Sequence, residues 1–230
     1  MGQDKPTRIL DAAEALLVSF GYRKVTVDEV ARRAGVGKGT VYLSWSSKQE
    51  LFAAVLTREA ATLLNKQLTA LRADPAEAQL HRTWRRSLVE VMHSPLAKAL
   101  YTGDSAVLGE LLATSTIGAQ FTAGKAARTA RHLAMLHKHG LLIDDPVSEP
   151  LLSYRVSAAV TGFFFLGGLS GPADLDPIAR ADALAITLRR AFEPPTEPTS
   201  ARLHDAATDL TELYEQWLAD LTASLPGQQT

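Results

Sequence analysis

Apolar residues along this 230-residue chain recur at intervals of three and four almost throughout, the period of helices with one buried face. Ile9, Ala13, Leu16, Leu17 and Phe20 form one such stripe, which stops at Gly21, a residue suited to a helix C-terminus. A second helix opens at Thr26-Val-Asp-Glu29, where Thr26 and Glu29 have the spacing of a capping box. Val27, Val30, Ala31 and Ala34 form its inner face, and Gly35 ends it. A short third helix runs from about Lys38 to Trp45. Ser47-Lys-Gln-Glu50 is a second capping box and opens a long helix over 47–71, carrying Leu51, Phe52, Val55, Leu56, Leu63, Leu64 and Leu68.

Farther along, prolines mark first helical turns. Asp74-Pro75 predicts a helix to about His93, and Ser94-Pro95 a short one ended by Gly103. Segments near 104–114, 118–139, 147–169 and 175–192 follow, with Gly140 and Gly171-Pro172 as stops. Residues 193–198, EPPTEP, read as a linker, and Leu203, Ala206, Ala207, Leu210, Leu213, Tyr214, Trp217 and Leu221 outline a last amphipathic helix over 200–224. No alternating strand pattern and no internal repeat interrupts this, so the expected fold class is all-α. The expected organisation is a three-helix head over 1–50 that extends into the connecting helix 47–71, a helical body over 51–195, and a linker with a C-terminal helix and tail over 196–230. Residues 156–173 contain no charge, but four Gly, two Ser, one Thr and one Pro interrupt them. They predict a fully buried helix and not a membrane span.

Charge changes the picture only when it is divided. The whole chain has a formal net charge of −1, which argues against a non-specific polyanion binder. Residues 1–58 hold nine Lys/Arg against six Asp/Glu, and residues 59–230 hold fifteen against nineteen. A head of +3 on a body of −4 points toward nucleic-acid contact by the head. The absence of cysteine excludes disulfides, thiol chemistry and thiolate zinc sites. The first residues, MGQDKPTRIL, lack the apolar core of a secretory signal, so the expected location is cytoplasmic.

Two short helices joined by Ala34-Gly35-Val36-Gly37 have the pattern of a helix-turn-helix. On a wheel of 38–45, Val41 and Trp45 point inward together; Gly39, Thr40 and Leu43 point away, with Tyr42 at the flank. Gly at the centre of an outward face suits close approach of another molecule, because there it costs roughly 0.5–1 kcal/mol relative to Ala. Lys48 lies in the first turn of the long helix, where a cation opposes the helix dipole unless an anion such as phosphate binds there. Residues 8–56, with ILDAA at 9–13, Phe20-Gly-Tyr22, the run 26–42 (TVDEVARRAGVGKGTVY) and SKQEL at 47–51, resemble the DNA-binding head of TetR-family transcriptional regulators. The resemblance makes 38–45 the recognition helix. It implies phosphate contacts from Tyr42 and Lys48 with Thr26 contributing, base contacts from Gly39, Thr40 and Leu43, where Thr or Leu can meet a thymine methyl, and further DNA contacts from Lys38 and Ser44. The chain departs from the common pattern at Gly37, where Ser is usual, at Leu43 and Ser44, where aromatic residues or His are frequent, and at Trp45, where Phe is usual.

The resemblance further implies a homodimer on a palindromic operator in double-stranded DNA, a repressor released by a small-molecule effector. An effector pocket is expected among Trp84, Leu88, Met92, Tyr101, Leu108, Leu112, Phe121, Met135 and Phe163. Their apolar character points to a largely hydrophobic ligand, with Arg85, Arg86, Arg128 or His132 available for an anionic group. A dimer interface is expected on the helices over 147–169 and 175–192, at Val156, Val160, Phe164, Gly168, Leu184 and Leu188. The alternatives are an activator or a ligand-independent regulator of the same fold and, more distantly, an all-α enzyme acting on a small apolar substrate. No catalytic set, metal site, cofactor site or membrane partner is expected. The glycines at 35–39 lack the order of a phosphate loop. His132, His137 and His139 lack i,i+4 spacing, so no pair presents two imidazoles on one helix face.

Overall fold

The computed structural model describes residues 4–111, 116–166 and 176–223, the side chains of 116–123 and 125 excepted. Among them every regular element is helical, and no helix is long and apolar enough to cross a membrane. The α-helices are α1 (Lys5–Phe20), α2 (Val27–Ala34), α3 (Lys38–Ser44), α4 (Lys48–Ala73), α5 (Leu80–Met92), α6 (Pro95–Thr102), α7 (Ser105–Leu108), α8 (Thr116–Lys138), α9 (Leu152–Leu166), α10 (Pro177–Phe192) and α11 (Ser200–Thr222). They form two compact units, the first from residues 1–62, 95–121 and 218–230, the second from 63–94 and 122–217.

The first unit is built on local signals. The Asp4 carboxylate accepts from the Thr7 N–H and caps α1. Both halves of the Thr26/Glu29 capping box form at α2, and Gly35 closes that helix in the left-handed conformation. One core gathers Ile9, Leu17, Val30, Val41, Trp45 and Phe52 with Leu96, Leu108 and Leu111 from the α6–α7 region. Leu108, expected beside an effector, thus lies inside the head core. Phe20 ends the α1 stripe but is exposed. Arg58 of α4 ties α1 down through Asp11 and Glu14 at 2.7 and 2.8 Å.

The second unit is built on α5 against α10, with α9 beside α10. Leu88 and Val91 of α5, Val156, Val160 and Phe164 of α9, and Leu184, Leu188 and Phe192 of α10 are all buried. Glu193, at the end of α10, receives the His81 backbone N–H and faces His81 Nδ1, both at 2.7 Å. The carboxylate thereby satisfies a free donor in the first turn of α5. On α8 and α11, His132 Nδ1 and the Tyr214 hydroxyl lie 2.7 Å apart. Burial holds the imidazole neutral, its pKa lowered to about 4, and pushes the phenol well above its ordinary value. His132 therefore offers no positive charge to an anionic effector near neutral pH.

Three elements differ from the sequence reading. The segment expected near 104–114 is helical, among its described residues, only over Ser105–Leu108, because Gly109, at φ +55°, ends it. The helix expected over 74–93 breaks into a 3-10 turn, Pro75–Ala78, and α5, because Gln79 is extended. The break persists because Thr83 Oγ donates to the Glu77 carbonyl at 2.7 Å, while the buried Glu77 carboxylate receives Arg82 and Arg86. The segment expected as helix from 147 starts only at Leu152: Asp145 accepts from the Val147 N–H and the Ser148 hydroxyl, and Pro150 disfavours helix at Glu149.

Glu77 yields a pH test. Burial pushes its carboxyl up, but the ion pairs to Arg86 and Arg82 outweigh this and hold its pKa below the usual carboxylate value. A depressed carboxylate stabilises the fold above its unfolded pKa, and the contribution disappears as pH falls through the folded value. Glu77→Gln is expected to cost about 1–2 kcal/mol near neutral pH, since the arginine partners are partly exposed. The difference from the native chain should shrink toward zero in urea titrations taken progressively below pH 4.5. A pH-independent difference would refute the ionic origin.

Candidate nucleic-acid interface

The helix-turn-helix arises from the α2–α3 connection. Gly35 adopts φ +67°, ψ 38°, a conformation that L side chains rarely take, and its N–H returns to the last carbonyls of α2. Gly37 precedes α3 without a side-chain cap, where a serine hydroxyl would have served. Val41 and Trp45 turn inward, at 1% and 3% exposure, and fix the rotation of α3 against the head core. The opposite side of α3 then faces outward: Lys38, Gly39, Tyr42 and Leu43 are exposed, and Thr40 and Ser44 are partly exposed.

Lys48 is less free than its position in the sequence implies. Its ammonium donates to the Tyr22 carbonyl at 2.6 Å and lies 4.3 Å from the centre of the Tyr22 ring. Burial lowers its pKa, partly opposed by the charge of Glu29. Tyr22 is itself fixed, its ring edge-on to Phe52 and its N–H bonded to the Val107 carbonyl. An ammonium has three donors, so the contact that positions Lys48 still leaves it able to meet a phosphate. Lys38 is held by Asp28 at 2.8 Å, a hydrogen bond that raises its pKa. Thr26 Oγ is engaged with Glu29, accepting its N–H and donating to its carboxylate. At the start of α4 only half the second capping box forms: Ser47 Oγ accepts from the Glu50 N–H, whereas the Glu50 carboxylate reaches Ser46 N–H. Tyr22 and Asp28, which position the two lysines, were not singled out by the sequence. The Asp28–Lys38 link spans ten residues across the turn, so it depends on the crossing of two helices and not on local spacing.

The expected body sites are distributed as follows. Trp84, Leu88 and Met92 lie on α5, Met135 on α8 and Phe163 on α9, all in the second unit; Leu88 is buried and the others partly buried. Tyr101 and Leu108 belong to the first unit. The side chains of Leu112 and Phe121, and Gly168, lie outside the described residues. Arg85 and Arg86 border a groove on α5 but already pair with Asp182 and Glu77. Val156, Val160, Phe164, Leu184 and Leu188 are buried within the chain itself. The helix expected to be fully buried instead keeps an open side: Tyr154 and Phe165 of α9 are exposed, as are Ile178 and Ile186 of α10.

Comparison with known proteins agrees with this geometry. The family described as "Bacterial regulatory proteins, tetR family" matches residues 9–55. An uncharacterised HTH-type transcriptional regulator of Mycobacterium bovis is 34% identical over 180 residues, covering 70% of this chain and 94% of the relative. NalD, the secondary repressor of the MexAB-OprM multidrug efflux pump in Pseudomonas aeruginosa, has a similar structure: TM-score 0.59 at 19% identity, over 84% of this chain and 97% of NalD. So does SmeT in its triclosan complex, with a TM-score of 0.57 at 19% identity, over 86% of this chain and 97% of SmeT.

Proposed function

Since this chain belongs to the tetR family of bacterial transcriptional regulators, we propose that it acts in the cytoplasm as a homodimeric repressor, released from a palindromic operator by a small, largely hydrophobic effector. Residues 1–50 are the DNA-binding head, whose core also takes in Phe52, Leu96, Leu108 and Leu111, and residues 51–195 include the effector-binding and dimerising body. The observation that carries the reading is α3, held by Val41 and Trp45 on one side and left open along Gly39, Tyr42 and Leu43 on the other. Thr26, Tyr42 and Lys48 meet phosphates; Gly39, Thr40 and Leu43 face the bases, with Lys38 and Ser44 in contact with the DNA beside them.

Two recognition helices enter successive major grooves when they sit about 34 Å apart. An effector that favours another separation weakens operator binding by its preference for that state, and a tenfold preference corresponds to about 1.4 kcal/mol of coupling. A hydrophobic effector is supported by Leu88, Met92 and Met135 on the second unit's helices and by the triclosan complex of a protein with this fold. Outward Tyr154 and Phe165 on α9 and Ile178 and Ile186 on α10 support a dimer.

Fluorescence anisotropy of the full chain on palindromic duplexes tests the proposal. Binding to one sequence at least about a thousandfold tighter than to scrambled DNA is expected. Lys48→Ala should weaken all duplexes alike and lower the slope of log affinity against log salt by about 1. Binding no tighter than to scrambled DNA for every duplex tried would end the regulator reading for this head. An unchanged slope in Lys48→Ala would leave Lys48 as an internal strut.

A further inference from the structure

Leu43 is 87% exposed, more than any other large apolar residue among those described. One exposed leucine means little, but Gly39 lies four residues before it and so on the same face of α3. Among the described residues nothing accounts for glycine there. Its φ is not positive, and an added Cβ would meet no atom within 4 Å. Alanine would fit and would favour the helix. The described structure therefore does not itself require a bare backbone at this position.

The chemistry of α3 restricts what this face can meet. Selective readout of guanine or adenine in the major groove relies on paired hydrogen bonds from Arg, Lys, Asn or Gln. The helix, KGTVYLS, contains no Arg, Asn or Gln; its one lysine is drawn toward Asp28 of α2, and Thr40 and Ser44 each offer a single hydroxyl and no paired set. The apolar feature that the major groove offers is the thymine methyl. Resting on the DNA-binding reading above, we propose that this protein selects its site by thymine 5-methyl groups, with the Leu43 side chain as the reader and Gly39 as the gap that lets the base edge approach.

The test begins with selection of binding sites by the full chain from randomised duplexes. Each thymine of the selected half-site is then replaced by deoxyuridine, which keeps the pairing and removes only the methyl. Anisotropy at fixed salt should reveal one thymine per half-site whose methyl contributes about fourfold in affinity, the value of one buried methyl. Leu43→Ala should bind the thymine and uracil sites within twofold of each other. Gly39→Ala should melt at the same or a higher temperature, yet lose at least tenfold in binding. Uracil sites that all bind the native chain within twofold of the parent would overturn the proposal, as would Leu43→Ala retaining the thymine preference or Gly39→Ala binding normally. Selection that enriches no sequence at all would instead remove the DNA-binding reading on which the proposal stands.

Discussion

Phe165→Glu is expected to leave the chain folded and to convert the proposed dimer into monomers, while Phe164→Glu, one residue earlier, is expected to prevent folding. Phe164 is 1% exposed and Phe165 51%, because consecutive helical positions differ by about 100°. Charging Phe164 loses the burial of an aromatic side chain, about 3–5 kcal/mol for truncation alone, and adds an unpaired buried carboxylate at several kcal/mol more. The sum rivals the whole stability of a typical domain, about 5–15 kcal/mol. Phe165 has no such debt inside the chain, and a surface change of this kind usually stays within about 0.5 kcal/mol for the monomer. Its carboxylates would, however, face the partner's apolar surface across the proposed α9–α10 interface. Light scattering and a circular-dichroism melt separate the outcomes. A Phe165→Glu chain that stays dimeric refutes the interface, and a Phe164→Glu chain that melts like the native one refutes the assignment of its face.

The same pair of residues marks where the sequence stops being readable. The head was legible because its signals are local: the Thr26/Glu29 box, Gly35, and the inward pair Val41 and Trp45 one turn apart, each dictated by residues within a few positions. In α9 the run Gly-Phe-Phe-Phe-Leu over 162–166 is apolar on every side, so periodicity has no polar face against which to orient it. The choice is made by α10, which begins only at Pro177, beyond the reach of the local pattern. Leu108 shows the same limit, since an apolar stripe reports that a face is buried but not in which core. Lys48 shows it for charge. Its position in the first turn of a long helix is visible in the sequence, whereas the Tyr22 carbonyl that anchors it comes from a turn 26 residues earlier.

Gly21 combines the legible and the illegible in one residue, and its substitution separates them. Gly21 and Gly35 both end helices of the head, and either can be read from the sequence as a cap. Gly35 lies at φ +67°, ψ 38°, and an added Cβ meets nothing within 4 Å. Gly35→Ala should therefore cost only the left-handed penalty, about 1–2 kcal/mol. Gly21 lies at φ +77°, ψ 155°, a region that only glycine occupies readily. An added Cβ would also stand 2.2 Å from the Ala106 carbonyl oxygen. That carbonyl cannot swing aside freely, because the neighbouring Val107 carbonyl accepts the Tyr22 N–H at 2.8 Å and Leu108 is buried in the head core. Strain of about 1–3 kcal/mol then adds to a backbone clash that must push the 21–24 turn off α7. The total should reach about 3–5 kcal/mol, near the upper end for single substitutions, and lower the melting temperature by roughly 10 °C. Since Tyr22 holds Lys48, DNA binding should fall as well, and its loss should exceed what the unfolded fraction explains. Equal melting temperatures for Gly21→Ala and Gly35→Ala would show that the approach of Ala106 carries no energy, leaving Gly21 as a cap and nothing more.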